Sequence, residues 1–257
     1  MSDNVLRCGT LALLVVTAAA VACPQGLYWE STSGGKQGAG PNGARSYAAP
    51  KMFKNVDGDR VVLIRLDRQK LYSIDLGKKT YWEMTFAEME GMMKRARNQM
   101  EQVQKRMRNL SPEQKRMVEE QMGKGMADLV ASGGKVKTTA TNEVKTVSGY
   151  TCTKYIASHK KDVLLTAWAT KGVKGFASLR KDWDQFYTRL LSLSPVTSMG
   201  FAEAFRKIDG FPMEMEAAGR TTVVAKVEQR SIPAMEFELP SGLTKQPSPL
   251  LQAPVTQ

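Results

Sequence analysis

Three runs of alternating residues, joined by links of two or three residues, constrain this chain most. Residues 60–67 set Val61, Leu63 and Arg65 against Val62, Ile64 and Leu66. Arg68-Gln69 turns the chain, and residues 70–76 set Leu71, Ser73 and Asp75 against Tyr72, Ile74 and Leu76. Gly77-Lys78-Lys79 turns it again into Thr80-Tyr81-Trp82-Glu83. Links this short cannot form the crossover that parallel strands need, so the run predicts an antiparallel meander. The first run begins apolar on both faces, which predicts a strand covered on both sides.

Further strands are expected on either side. Residues 27–32 and 47–53 precede the meander, separated by a Gly- and Pro-rich loop. Asn55-Val56-Asp57-Gly58-Asp59 has hairpin chemistry. A second antiparallel run covers 135–147, 150–158 and 162–170, rich in Thr, Val, Tyr and Trp. A third covers 211–217, 221–229 and 234–239. Between the first two runs, residues 85–130 read as helical. Met89, Met93, Ala96, Met100, Val103, Met107 and Leu110 fall at alternating steps of 4 and 3, one continuous apolar seam. Ser111-Pro112-Glu113-Gln114 restarts the helix as a capping box. Val118, Met122, Met126 and Leu129 stripe the second arm of a helical hairpin. An amphipathic helix over 181–193 turns Trp183, Phe186, Tyr187, Leu190 and Leu191 inward, and a shorter one spans 199–208. The fold class predicted is α+β, with about eleven strands.

The first 22 residues read as an address. Residues 8–22 carry no charge, and Ala20-Val21-Ala22 offers a small-x-small cleavage site before Cys23. The run is short for a spanning helix, which needs roughly 20 apolar residues. Ala20-Val21-Ala22-Cys23 also fits a lipobox with Ala where Leu is usual, so Cys23 is a candidate for lipidation. Unlipidated, Cys23 is a candidate disulfide partner of Cys152 in an oxidising compartment. The domain organisation expected is a signal peptide over 1–22, one domain over 23–245 with a helical hairpin insertion at 85–131, and a disordered tail over 246–257, where three prolines fall. The protein is therefore expected to be exported, and either periplasmic or lipid-anchored.

Several motifs together resemble a bacterial envelope family known as a domain of unknown function, number 4412. They are Leu63-Ile64-Arg65-Leu66-Asp67 running into Leu71-Tyr72-Ser73-Ile74-Asp75 and Thr80-Tyr81-Trp82-Glu83, then Ser148-Gly149-Tyr150-Thr151-Cys152-Thr153-Lys154-Tyr155, Asp209-Gly210-Phe211-Pro212 and Phe237-Glu238-Leu239-Pro240-Ser241-Gly242. The resemblance covers residues 27–245. It implies a relative of the outer-membrane lipoprotein carriers: a curved, half-open antiparallel sheet with helices plugging its concave side. It assigns no catalytic residue.

Function is less legible. The net charge of +12, from 37 Lys and Arg against 25 Asp and Glu, suits an anionic membrane surface. Nucleic acid is not expected as a partner of an exported chain. One histidine, His159, and three cysteines leave no multi-His metal site and no disulfide scaffold. His159 reads as a solvated turn residue. Nine of fifteen methionines fall between Met84 and Met126. They read as a helical core face, as a pliable lid over a greasy ligand, or as soft ligands for copper(I). On the lid reading, Met89, Met93, Met100, Met107, Met122 and Met126 line a lipid or acyl chain together with Trp82 and Trp168. The expectation is a non-enzymatic envelope protein without cofactor. Either it holds a hydrophobic ligand in its concavity, or it is an interaction or metal-sensing stress protein whose cavity its own helices fill.

Overall fold

The structure, a computed structural model, describes residues 25–35, 43–122, 136–191 and 201–252. The expected leader over 1–22, Cys23 and Met126 lie outside those residues.

Among the described residues, twelve strands form one open sheet. In chain order they are β1 (Gln25–Gly35), β2 (Ala44–Ala49), β3 (Met52–Asp57), β4 (Arg60–Arg65), β5 (Lys70–Asp75), β6 (Thr80–Thr85), β7 (Lys137–Val147), β8 (Tyr150–His159), β9 (Asp162–Thr170), β10 (Phe211–Ala217), β11 (Arg220–Ser231) and β12 (Thr244–Lys245). Helices α1 (Phe86–Arg108) and α2 (Pro112–Met122) follow β6. Helices α3 (Phe176–Leu191) and α4 (Phe201–Arg206) follow β9, and α5 (Pro249–Gln252) comes last. The fold is thus mainly β, where α+β was expected. The order across the sheet is β12-β6-β5-β4-β3-β2-β1-β11-β10-β9-β8-β7. All pairings are antiparallel except β12 on β6. The meander β1–β6 and the run β7–β11 therefore join where β1 lies between β2 and β11.

The meander's pairing register explains its two-sided burial. Leu27 faces Ala48, Ala48 faces Phe53, Phe53 faces Ile64, Ile64 faces Leu71 and Leu71 faces Met84. These directly opposed residues make one apolar row across six strands, and all are buried. Side chains alternate along a strand, so the intervening residues point the other way. That second face carries Val56, Val61, Leu63, Tyr72 and Ile74, also buried. Helix α3 and the start of α1 cover the first face. Ile232, Phe237, Leu239 and Leu243 of the returning C-terminal segment cover the second. Helix α4 adds a separate cluster, packing Ala204, Phe205 and Ile208 with Tyr155, Ala157, Leu165, Ala167 and Ala169.

Four expectations need correction. The stretch 47–53 is two strands, because the chain reverses at Pro50 and Lys51, where Lys51 takes φ 62°. Residues 234–239 add no strand. Ala234–Phe237 is a 3-10 turn. Ile232 and Phe237 anchor it over the sheet face, and the Glu236 amide donates to the Pro233 carbonyl at 3.0 Å. Of the tail expected over 246–257, residues 246–252 are described, and they lie ordered against the sheet, while 253–257 fall outside the described residues. The Gln246 amide donates to the Tyr81 carbonyl at 2.7 Å, Leu250 packs on the main core and α5 follows Ser248. The segment 232–252 thus wraps the β6 edge, covering backbone groups that would otherwise invite another chain. His159 ends β8 at 4% exposure, buried where a solvated turn was expected.

Candidate functional site

The residues that could enclose a ligand belong to the helix-covered face. Phe176, Leu179, Trp183 and Phe186 recur at helical steps along α3 and are all buried. Their rings meet aromatic residues of the sheet. Trp183 lies 5.4 Å from Trp29 and 5.4 Å from Phe211, between ring centroids. Phe176 meets Phe211 edge-on at 5.4 Å, and Phe186 meets Phe53 at 5.4 Å. Trp29 closes the ring set, 6.0 Å from Phe53 and 5.5 Å from Phe211. These separations fall in the 4.5–7 Å range of favourable aromatic pairs. Tyr187 carries the packing on to α4, stacking on Phe205 at 4.6 Å. Burial of the Tyr187 hydroxyl raises its pKa far above the ordinary phenol value.

The Asp209-Gly210-Phe211-Pro212 motif has a physical reason. Gly210 takes φ 128°, and a Cβ there would sit 2.5 Å from the Thr170 carbonyl oxygen. Only glycine lets β10 start so close to the end of β9, and that placement delivers Phe211 into the aromatic set.

Polar contacts hold α3 over this face. The Arg180 guanidinium donates to the carbonyls of Ile208 at 2.7 Å and Arg206 at 2.9 Å. The Lys51 amide donates to the Asp182 carboxylate at 2.7 Å. Arg189 pairs with Glu90 at 3.1 Å and lies 4.2 Å from the centre of the Phe86 ring, joining α3 to the start of α1.

Among the described side chains, the methionine seam enters this site at its beginning. Met89 is fully buried and Met92 packs on the same core. Met93 is half-buried. The side chains of Met100, Met107 and Met122 lie outside the described set, as does all of Met126. Among the described side chains from Asn98 to Glu120, every one is exposed except Leu110, which is half-buried. The α1 start is capped by a reciprocal pair that the sequence reading had not singled out: the Thr85 amide donates to Glu88 at 2.7 Å and the Glu88 amide to the Thr85 hydroxyl at 3.2 Å. The second capping box stands where expected, with the Ser111 amide on Gln114 at 3.0 Å and the Gln114 amide on the Ser111 hydroxyl at 3.2 Å.

The two tryptophans pack against the same main core from distant strands. Trp82 on β6 and Trp168 on β9 have seven strands between them in the sheet order. Both are partly buried against that core, and Trp168 also lies under the Lys145 ammonium, 4.4 Å from its ring centre. Cys152 has a free, fully buried thiol that donates to the Tyr150 carbonyl at 3.4 Å. Burial pushes its pKa up, away from the thiolate that a nucleophile needs. Its expected disulfide partner, Cys23, lies outside the described residues. Among the described residues no three His, Cys, Asp or Glu side chains gather as a metal site, and no helix is long and apolar enough to cross a membrane.

Cavities open on both faces of the described sheet. One, of about 830 Å³, lies between α1 and α3. Met93 reaches it, but Glu90, Glu101, Lys94, Arg189 and Arg206 give it a charged lining. The other, of about 200 Å³, lies on the opposite face under the C-terminal segment, floored by Val56, Val61, Leu63 and Ile74. It is smaller than the roughly 300–1,000 Å³ typical of small-molecule sites.

Beside it is a polar staple. Arg65 is 5% exposed. Its guanidinium grips Asp67 through two bonds, at 2.9 and 2.7 Å, and donates to the Phe237 carbonyl at 2.9 Å and to Glu238 at 2.8 Å. Arg68 grips Glu238 through two more, at 2.8 and 2.7 Å. Bonding to Arg65 holds the Asp67 carboxyl below its ordinary pKa, and bonding to Arg68 does the same for Glu238. The sequence signal was an arginine continuing the apolar alternation of Val61 and Leu63.

A family model described as Domain of unknown function (DUF4412) matches residues 77–243. No curated protein matches. Among solved structures, the chain is similar to an uncharacterised conserved protein from Thermus thermophilus, at 6% identity and a TM-score of 0.45, covering 89% of this chain and 92% of that one. It is also similar to PNGF-II, crystallised in space group C2, at 9% identity and a TM-score of 0.38, covering 87% of this chain. The chain spans about a third of PNGF-II, 31% of that chain.

Proposed function

Because this chain belongs to the DUF4412 family, a domain of unknown function whose match runs from before β6 to Leu243, we propose that it is an exported, non-catalytic envelope protein that acts through its outer surface. Its sheet is read as a carrier-like half-barrel whose concave side is filled by the chain's own helices. The observation that carries this reading is the aromatic set on the helix-covered face. Trp29, Phe53, Phe176, Trp183, Phe186 and Phe211 meet ring to ring at 5.4–6.0 Å between α3 and the sheet. The cleft beside it is lined by charge, which disfavours an acyl chain. Export is supported by the uncharged run over 8–22 and the small-residue site before Cys23.

The intact mass of protein extracted from the envelope tests the export half of the reading. Cleavage between Ala22 and Cys23 is expected, so the mass begins at Cys23. An added diacylglycerol and acyl group assign Cys23 as the anchor, and an unmodified mass assigns a free periplasmic form. A mass that retains residues 1–22, or protein found only in the cytoplasm, contradicts export.

A further inference from the structure

The distal end of the α1–α2 hairpin sets exposed cations beside an exposed methionine. We infer that this end is a docking surface for an anionic lipid bilayer. The inference deepens the interaction reading above by naming the partner, and its test does not depend on where the chain is cleaved.

Four cations, Lys105 and Arg106 at the end of α1 and Lys115 and Arg116 at the start of α2, flank the connection between the helices, and all four are exposed. The described acidic side chains near them are Glu101, Glu113 and Glu120. Glu120 lies 3.7 Å from Arg116, an exposed i,i+4 pair of the kind that contributes little. Lys105, Arg106 and Lys115 make no ion pair or hydrogen bond with a described side chain. By contrast, several sheet cations are already engaged: Lys54 with Glu236, Lys70 and Lys245 with Glu83, Lys145 with Glu214, and Lys154 with Glu143. The hairpin end therefore offers four exposed cations, of which only Arg116 has a described acidic partner.

An apolar residue accompanies that charge. Met117 follows Lys115 and Arg116 directly and is 56% exposed, and Leu110 sits half-buried at the connection. Cations that reach phosphates beside an unbranched thioether that can enter the acyl boundary suit an interfacial helix. The two capping boxes, at Thr85–Glu88 and Ser111–Gln114, fix both helix starts, so the cations are presented on formed helices. Charge complementarity favours an anionic bilayer here, because all four cations are exposed beside an exposed methionine.

Co-sedimentation with vesicles tests this. The full protein is used with Cys23→Ser, so that no acyl anchor contributes. It is expected to bind vesicles containing about a third phosphatidylglycerol, to ignore pure phosphatidylcholine, and to release as salt rises past a few tenths molar. Replacing Lys105, Arg106, Lys115 and Arg116 together by Gln is expected to weaken binding about 100-fold or more. The control pair Lys174→Gln with Lys181→Gln, exposed cations elsewhere, should leave it unchanged. Circular dichroism confirms that the helices persist; if the fourfold variant loses them, the pairs Lys105→Gln/Arg106→Gln and Lys115→Gln/Arg116→Gln are each expected to weaken binding about tenfold. Binding that is equal on neutral vesicles, unchanged in the helical variants, or matched by duplex DNA of equal charge would overturn the inference.

Discussion

Phe186→Ala is expected to lower the stability of the folded chain by about 3–5 kcal/mol, the range for a large aromatic side chain removed from a packed core. Phe186 is fully buried, and its ring rests on Phe53 and on the apolar row that runs from Leu27 to Met84. The replacement loses that transfer energy and leaves a void, because the surrounding rings are held by one another and by the Arg180 and Arg189 contacts of α3. Against a typical total of about 5–15 kcal/mol, such a loss is large. Urea unfolding followed by tryptophan fluorescence measures it, since Trp29 and Trp183 lie in the same cluster. A loss below about 1 kcal/mol would mean that α3 covers the sheet loosely, as a lid rather than as core. Phe186→Leu, which keeps most of the volume, should recover the greater part.

The second large effect is Arg65→Met. A fully buried ion pair broken on one side costs about 3–5 kcal/mol, because the remaining charge is stranded. Here the carboxylates of Asp67 and Glu238 are 36% and 44% exposed and can rehydrate, so about 2–3 kcal/mol is expected. The lost bond to the Phe237 carbonyl contributes, because that oxygen lies in a buried contact. Arg65→Lys keeps the charge but not the two-pronged grip, and should fall between. The pH dependence has a definite sign. Asp67 and Glu238 have folded-state pKa values below their unfolded ones. Their contribution is present above the unfolded values, near about pH 4, and is lost as pH falls through the folded ones. Melting temperature should therefore drop below about pH 4 in the native protein, and more shallowly in Arg65→Met. An equal acid slope in both would show that the staple does not stabilise the C-terminal segment.

What could be read from the sequence was local. The meander was legible because alternation and short links leave few alternatives, and each paired register from β3 to β6 follows from it. The capping box at Ser111 was legible for the same reason. The reversal at Lys51 was not, because the positive φ falls on a lysine and no glycine marks it. Nor were the partners of β1 and β12. Thr244 faces Thr80, and Gln25 faces Ser231, contacts between residues far apart in the chain that leave no trace in either neighbourhood. The wrap of the C-terminal segment over both faces of the β6 edge depends on those contacts. At the site, the periodicity of α3 pointed to inward aromatics, but a period cannot say whether an apolar stripe meets a ligand or the protein's own rings. The methionine seam had the same ambiguity. Met89 and Met92 pack with the core, while the described cations farther out are exposed.

On the reading proposed above, the helix-covered face is filled by the chain itself. Organic extraction of the folded, envelope-purified protein, followed by lipid mass spectrometry against a protein standard, tests it most directly. The account predicts far less than one lipid per chain, with Trp29 and Trp183 fluorescence unchanged after extraction. One lipid or other hydrophobic molecule per chain, whose removal shifts that fluorescence, would contradict it.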